Sequence, residues 1–219
     1  MESRRGIRTA GVLFGTGAII LALVLSFWLN FSDLGFYRAF RADRNDYAYI
    51  GKDAQELEII TKDLIRYIQI GGEERLEKHF NEREIHHMRD VRLLILLTLP
   101  LAGIGLLFCW LSARFAQKKK GLYRFRRTAM ASIGVLLLLL GAGGVWMARS
   151  FDTAFVRFHE IFFWNDLWIL NPQTDMMIRM LPQDLFIYLF GRILALFLIF
   201  CALWMAVLYR RNHGLTKND

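Results

Sequence analysis

Four stretches of the chain are apolar almost without interruption, at about 10 to 31, 91 to 115, 128 to 148 and 185 to 208. A helix needs roughly 20 residues to cross the hydrocarbon core of a bilayer, so each stretch is long enough to span one. The polar residues gather in two intervening segments, 32 to 90 and 149 to 184. The pattern predicts an all-α membrane protein: four transmembrane helices in a bundle, with the two segments forming a helical cap, and residues 1 to 219 making a single integral membrane domain.

In the first polar segment, DAQELEIITKDLIRYIQI sets Leu57, Ile60, Leu64 and Ile68 on one helical stripe, the signature of a helix lying on the membrane surface or capping the bundle. Residues 32 to 52, with Tyr37, Arg38, Tyr47 and Tyr49, show no usable period. Further on, FNEREIHHMRDV carries a helix start: Asn81 as N-cap, Glu84 three residues on, and Phe80 with Ile85 as a hydrophobic staple. No breaker follows before the second span, where Pro100 is expected to introduce a kink, so His86, His87 and Asp90 stand on a helix running into that span. In the second polar segment Asp152 is the expected N-cap. Phe155, His159 and Phe162 then share a face by i, i+4 and i+7 spacing. Asn165-Asp166 and Asn171-Pro172 signal turns, and Pro182 marks entry to the fourth span. This aromatic-rich, amphipathic stretch belongs in the membrane interface.

Within the spans, Gly11 and Gly15, and the cluster Gly141, Gly143 and Gly144, are expected to let helix backbones approach closely. Trp28, Trp110 and Trp146 fit interfacial anchors.

Charge orients this pattern. The chain holds 28 Lys+Arg against 20 Asp+Glu, a formal +8. The N-tail (Arg4, Arg5, Arg8), the loop from Arg114 to Arg127 and the C-tail (Arg210, Arg211, Lys217) together carry 13 bases against only Glu2 and Asp219, leaving 15 bases and 18 acids for the other side. Cytoplasmic flanks keep Lys and Arg during insertion, so both termini are expected inside and both polar segments outside. The basic balance then reports topology and contact with anionic lipids, and no nucleic-acid partner is expected. The first span follows Arg4, Arg5 and Arg8 without a small-x-small cleavage site, as in an uncleaved signal anchor.

With 55% hydrophobic residues and a mean hydropathy of +0.29, an ordinary soluble domain is excluded. Only 3 Pro and 17 Gly exclude collagen-like or low-complexity chains. Cys109 and Cys201 both fall inside apolar runs, so neither a disulfide framework nor a CxxC metal knuckle is available.

The candidate chemistry is histidine chemistry. Of five histidines, His79, His86, His87 and His159 lie in the polar segments, and His213 sits in the C-tail. Two imidazoles brought together from different segments suit a general acid and a general base for acyl transfer. Ser32 and Ser150 lack a nucleophile-elbow context and no cysteine lies among the polar residues, so the substrate would have to supply the nucleophile. Asp90, at i+4 from His86 and i+3 from His87, and Asp166 are candidate orienters of an imidazole. Asn165 and Trp168 are further orienting or substrate-binding candidates. Arg192, about eight residues into the fourth span, could hold a lipid carbonyl or an oxyanion. Adjacent histidines diverge by about 100° on a helix and HExxH is absent, so no metal site or cofactor is expected.

EIHHMRDV opening the second span, followed by FDTAFVRFHEIFFWNDLWILNPQTDMMIRMLP before the fourth, resembles the bacterial lipoprotein intramolecular transacylase family. The resemblance covers nearly the whole chain in topology. It implies a four-span enzyme of the Gram-positive cell membrane, its active site facing the extracytoplasmic side. The reaction it implies moves the sn-2 acyl chain of a diacylglyceryl-cysteine lipoprotein to that cysteine's own α-amino group, leaving a lyso-form product. It also implies membrane lipids and diacylglyceryl lipoproteins as partners, and His87 and His159 as the catalytic pair. The doubled His86-His87 departs from the family's single-histidine pattern. Activity should show a pH limb near neutrality. Two other readings compete: a non-catalytic accessory subunit, which would tolerate loss of either histidine, and an outer-facing zinc hydrolase, which would need stoichiometric metal.

Overall fold

Long apolar runs with no competing partner for the backbone fold as helices, since every amide is then satisfied within the segment. The computed structural model describes residues 2–216, and the side chains of 4–147 and 149–210. Arg211, Lys217, Glu2 and Asp219 of the charge map, and His213 of the C-tail, lie outside the described side chains. The described elements are all helical: α1 (Glu2–Phe31), α2 (Leu34–Arg44), α3 (Tyr47–Ile50), α4 (Ala54–Ile70), α5 (Glu82–Leu96), α6 (Thr98–Lys118), α7 (Leu122–Arg149), α8 (Phe151–Phe162), α9 (Met176–Met180) and α10 (Gln183–Thr216), with a single 3-10 turn at Glu73–Arg75. Four lengths are long and apolar enough to cross a membrane: Arg4–Phe31, Glu82–Lys118, Leu122–Met147 and Gln183–Arg210. They expose large side chains such as Leu106, Trp110 and Leu138, the last 76% exposed. A helix that is apolar on its outward face as well as its inward one needs an apolar solvent.

The chain packs as two units. The first comprises residues 1–27, 99–149 and 193–219. Its core includes Ile7, Phe14, Ala18, Phe125, Ile133 and Cys201, with Phe14 set edge-on to Phe125 at 5.3 Å and to Trp204 at 5.5 Å. Gly11 and Gly15 face α7: a Cβ at either would lie 2.7 Å from the Cβ of Thr128 or of Ser132. Gly17 in turn meets the carbonyl of Gly105 on α6. Small residues at these positions are what let the backbones come together. Gly141 and Gly143 differ from expectation, since nothing lies within 4 Å of a Cβ at either. Among the described residues they face open space on α7 and pack against no other helix.

The second unit comprises residues 28–98 and 150–192. The α4 stripe, Leu57, Ile60, Leu64 and Ile68, is buried with Leu76, Phe80, Ile85, Met88 and the three methionines of α9, Met176, Met177 and Met180. Asn81 opens α5 with the expected capping box, its side chain taking the Glu84 amide while Glu84 returns to the Asn81 amide. The stretch from Asn81 to Lys118 is not one unbroken helix: α5 ends at Leu96 and α6 restarts at Thr98. Pro100 explains the interruption, because it lacks the N–H that the Leu96 carbonyl would use. The Thr98 hydroxyl donates to the Ile95 carbonyl at 2.6 Å in the same turn.

The aperiodic stretch after α1 is also helical. Asp33 caps α2 through the Phe36 amide, and Asn45 ends it in the left-handed region with φ 50°. In the second polar segment Ser150, not Asp152, is the N-cap of α8. The Asp152 carboxylate instead accepts from Gln183 Nε2.

Candidate active site

The starting point is the capping box that fixes α5. Glu84 is 1% exposed, and besides its bond with the Asn81 amide it accepts the Met177 amide at 2.6 Å. The Asn81 side-chain amide donates to Asp175 at 2.9 Å, and Asp175 accepts the Asn171 amide at 2.7 Å. The start of α5 and the turn before α9 are therefore tied by charge-assisted bonds, stronger than neutral ones. Beside Glu84, the same helix presents Arg83, His87 and Asp90 at i, i+4 and i+7, a single face. That face holds the loop after α8: Arg83 donates to the Asp166 carbonyl, and Asn165 Nδ2 donates to Asp90 at 2.9 Å. His87 stands between these two fastenings.

His159 comes from α8. Its ring lies 6.1 Å from that of His87, centroid to centroid, with 31° between the planes. Both are buried, at 7% and 8% exposure. Around them stands an aromatic enclosure: Phe155 at 4.3 Å, Trp168 at 5.0 Å, Phe163 at 5.4 Å and Phe158 at 5.5 Å from His159, with Phe163 also 5.2 Å from His87. Phe155 and Phe163 reach the ring from one turn before and one turn after it. Phe162, expected on that face, is instead exposed and stacks on Phe158 at 4.8 Å. The helix ends at Phe162, and the extended conformation of Phe163 turns the following ring inward.

The polar contacts of the two imidazoles differ. His159 Nδ1 lies 2.7 Å from the Phe155 carbonyl. A carbonyl only accepts, so Nδ1 carries the proton and Nε2 is left with its lone pair. Burial pulls the His159 pKa below its ordinary 6.5, and the bond to Phe155 offsets this only in part. His87 Nδ1 is buried and has no hydrogen-bond partner among the described residues. An unsatisfied buried polar atom costs about 1–3 kcal/mol, a deficit that a bound polar group would remove.

The other predicted residues are placed as follows. Trp168 joins the enclosure, and Asn165, Asp90 and Asp166 fasten the loop, but the Asp90 carboxylate takes Asn165 rather than an imidazole, and Asp166 takes part through its backbone carbonyl, which accepts from Arg83. His86 points to the exposed side of α5. His79 pairs with Asp63 at 3.1 Å. Arg192 is committed elsewhere, donating to Asp33 at 2.6 Å and lying 4.7 Å over the Phe36 ring. Among the described residues no group of three or more His, Cys, Asp or Glu is arranged to hold a metal. Sequence reasoning missed Phe163 and the Arg83 fastening. The i+4 step from His159 and the i−4 step from His87 were the available signals.

The sequence model of the family described as lipoprotein intramolecular transacylase Lit matches residues 12–186. Among solved structures, that of the membrane-integral lipoprotein intramolecular transacylase from Bacillus cereus is similar at 18% identity and TM-score 0.82, over 97% of this chain and 98% of that one. Two variants of the Bacillus cereus protein are also similar at 17% identity. One has a histidine replaced by arginine (TM-score 0.78, 99% of this chain and 95% of that one) and the other by alanine (0.79, 97% and 96%). No curated protein matches the chain. At these identities the structures speak for the fold, which is that of a multi-pass membrane protein. The family match runs through both polar segments and most of the apolar ones, and on that match the chain belongs to the lipoprotein intramolecular transacylase family, a family of acyltransferases.

Proposed function

We propose that this chain moves the sn-2 acyl chain of a diacylglyceryl-cysteine lipoprotein onto the α-amino group of the same cysteine, at the extracytoplasmic face of the membrane, with His87 and His159 exchanging the protons. The observation that carries this reading is the facing of two buried imidazoles within a wall of aromatic rings.

The amine and the ester belong to one molecule, so holding them in reach turns the attack into a unimolecular step. The amine nitrogen bonds to the sn-2 carbonyl carbon, and the tetrahedral intermediate collapses with loss of the carbon–oxygen bond to glycerol. His159, with Nε2 free, accepts the proton from the amine. His159 passes the proton it has gained to His87, which delivers it to the departing glycerol oxygen. One proton thus moves from nitrogen to oxygen, and the pair returns to its starting state. Phe155, Phe158, Phe163 and Trp168 keep water away, which favours aminolysis over hydrolysis. With no serine or cysteine nucleophile in use, no acyl-enzyme forms.

The test is mass spectrometry of the N-terminal lipopeptide of a diacylglyceryl lipoprotein made alongside this protein, its His87→Ala form or its His159→Ala form. The expected result is an N-acyl, S-monoacylglyceryl peptide with the unmodified protein alone. An unchanged diacylglyceryl peptide in its presence, the protein being folded in the membrane, would refute the assignment and favour a binding partner instead.

A further inference from the structure

We infer that the groove between the start of α1 and the start of α7 is a binding site for the headgroup of an anionic phospholipid. Five bases line it: Arg8 from α1, Lys119 and Lys120 from the turn after α6, and Arg124 and Arg127 from α7. Among the described residues no acid lines it, and none of the five has an ion-pair partner. The groove holds about 810 Å³, several times what a single phosphate needs, and its walls mix these bases with Tyr123 and Thr128 and with apolar Ile7 and Ala131.

The convergence is built into the backbone. Lys120 sits in the left-handed region at φ 50°, and the Gly121 amide returns to the Ala116 carbonyl, so the turn between α6 and α7 is tight. Gly121 then packs directly on the Ile7 side chain, with no room for a Cβ. Gly11 likewise lets α1 touch Thr128. Arg124, Arg127 and Ala131 follow each other at i, i+3 and i+7, one stripe of α7, and that stripe faces Arg8 across the groove.

Insertion of a membrane protein asks only that bases lie on one side of the bilayer. It does not ask that they converge into one concavity, and Arg114, Lys118 and Arg126 of the same loop do not line it. Five like charges gathered with no acid among the described residues beside them repel one another until an anion enters. The groove lies at the end of two helices long and apolar enough to span, so the anion within reach is the phosphodiester of a lipid in the leaflet bordering that end, its glycerol backbone against Ile7 and Ala131. Basic pockets between transmembrane helices bind such headgroups.

The experiment is native mass spectrometry of the full chain in detergent with a phosphatidylglycerol and a phosphatidylethanolamine of matched acyl chains. The unmodified protein should retain the anionic lipid at least tenfold over the zwitterionic one, and rising salt should erase that preference. The double variant Arg124→Gln/Arg127→Gln should bring the two lipids to parity. Lys62→Gln/Arg66→Gln, which removes the same charge from an exposed face of α4, should leave the preference intact. Equal retention of both lipids by the unmodified protein would overturn the inference, as would equal loss in the two double variants. Displacement of the lipid by millimolar inorganic phosphate would also overturn it, in favour of a free-phosphate site. Should the double variant not fold, Arg8→Gln replaces it, with a smaller loss of preference expected in the same direction.

Discussion

In the unit made of residues 1–27, 99–149 and 193–219, the helices meet through glycine, alanine and aromatic rings. Bonds between them include long ones, such as Ser132 Oγ to the Val12 carbonyl at 3.4 Å and Cys109 Sγ to the Phe14 carbonyl at 3.7 Å. In the unit made of residues 28–98 and 150–192, shorter helices and irregular loops are held by polar bonds that reach across long sequence separations. Glu84 to Met177, Asn81 to Asp175, and Asp90 to Asn165 are of this kind. The contrast follows from the backbone. A long helix satisfies its own amides and needs only shape to associate, whereas a loop must find partners for its polar groups. A reaction needing two imidazoles at fixed separation belongs in the second kind of unit, where side chains from distant segments can be pinned.

The sharpest way to break this contrast is at the pinned rings. His87→Ala or His159→Ala is expected to slow lipoprotein acyl transfer by about 10²–10⁴-fold, the range for loss of a general acid or base, while leaving the protein folded. The pH profile sharpens the same point. The base form of His159 is the neutral one, and its pKa is lowered by burial. At saturating substrate, where the ionisation of the free substrate amine does not enter, kcat should therefore persist as the pH falls through 6.5, the ordinary imidazole value, and fail only in more acid solution. The limb in kcat lies to the acid side of the neutral one expected of an ordinary histidine. A limb in kcat above 6.5 would contradict the assignment of His159 as base.

Next in size is the capping carboxylate. Glu84→Ala leaves the buried amide of Met177 without its acceptor and should cost about 2–3 kcal/mol, read as a lower thermal midpoint in detergent and a raised KM or lowered kcat. In the other unit, Gly11→Val should cost about 1–3 kcal/mol through overpacking against Thr128, with activity per folded molecule retained. The smallest effect is expected at Gly143, where a Cβ meets nothing within 4 Å. Gly143→Ala should be neutral or raise stability by about 0.5–1 kcal/mol through the helix preference for alanine. Similar losses at Gly11 and Gly143 would show that the contrast between packed and open glycines is wrong.

Much of this was legible in the sequence. Hydropathy runs locate the four spans because a bilayer leaves an apolar helix almost no alternative, and the Asn81-x-x-Glu84 box locates α5 because capping is local. The α2 helix escaped because its signals, Asp33 as cap and Asn45 as left-handed stop, frame a stretch whose buried rings, Phe36, Tyr37 and Phe40, cover little more than one turn and so set no period. The imidazole pair was legible as two candidates, but their facing was not, since it depends on Arg83 and Asp90 holding a loop some 75 to 83 residues away in sequence. Arg192 shows the converse. Its depth in an apolar run suggested a free charge, while its partner Asp33 lies 159 residues away, where no local pattern announces the pairing.

The account rests on His87 and His159 acting as one device, and the most direct test is the acyl-transfer rate of His87→Ala, His159→Ala and the double variant, measured on one diacylglyceryl lipopeptide. Groups that act as a unit are non-additive: once one is gone, loss of the other matters little. The expected result is a double variant no slower than the slower single one, within a factor of about three. Losses that multiply, or a single variant retaining near-normal rate, would mean that the two rings serve separate ends and that the facing pair is not the catalytic device.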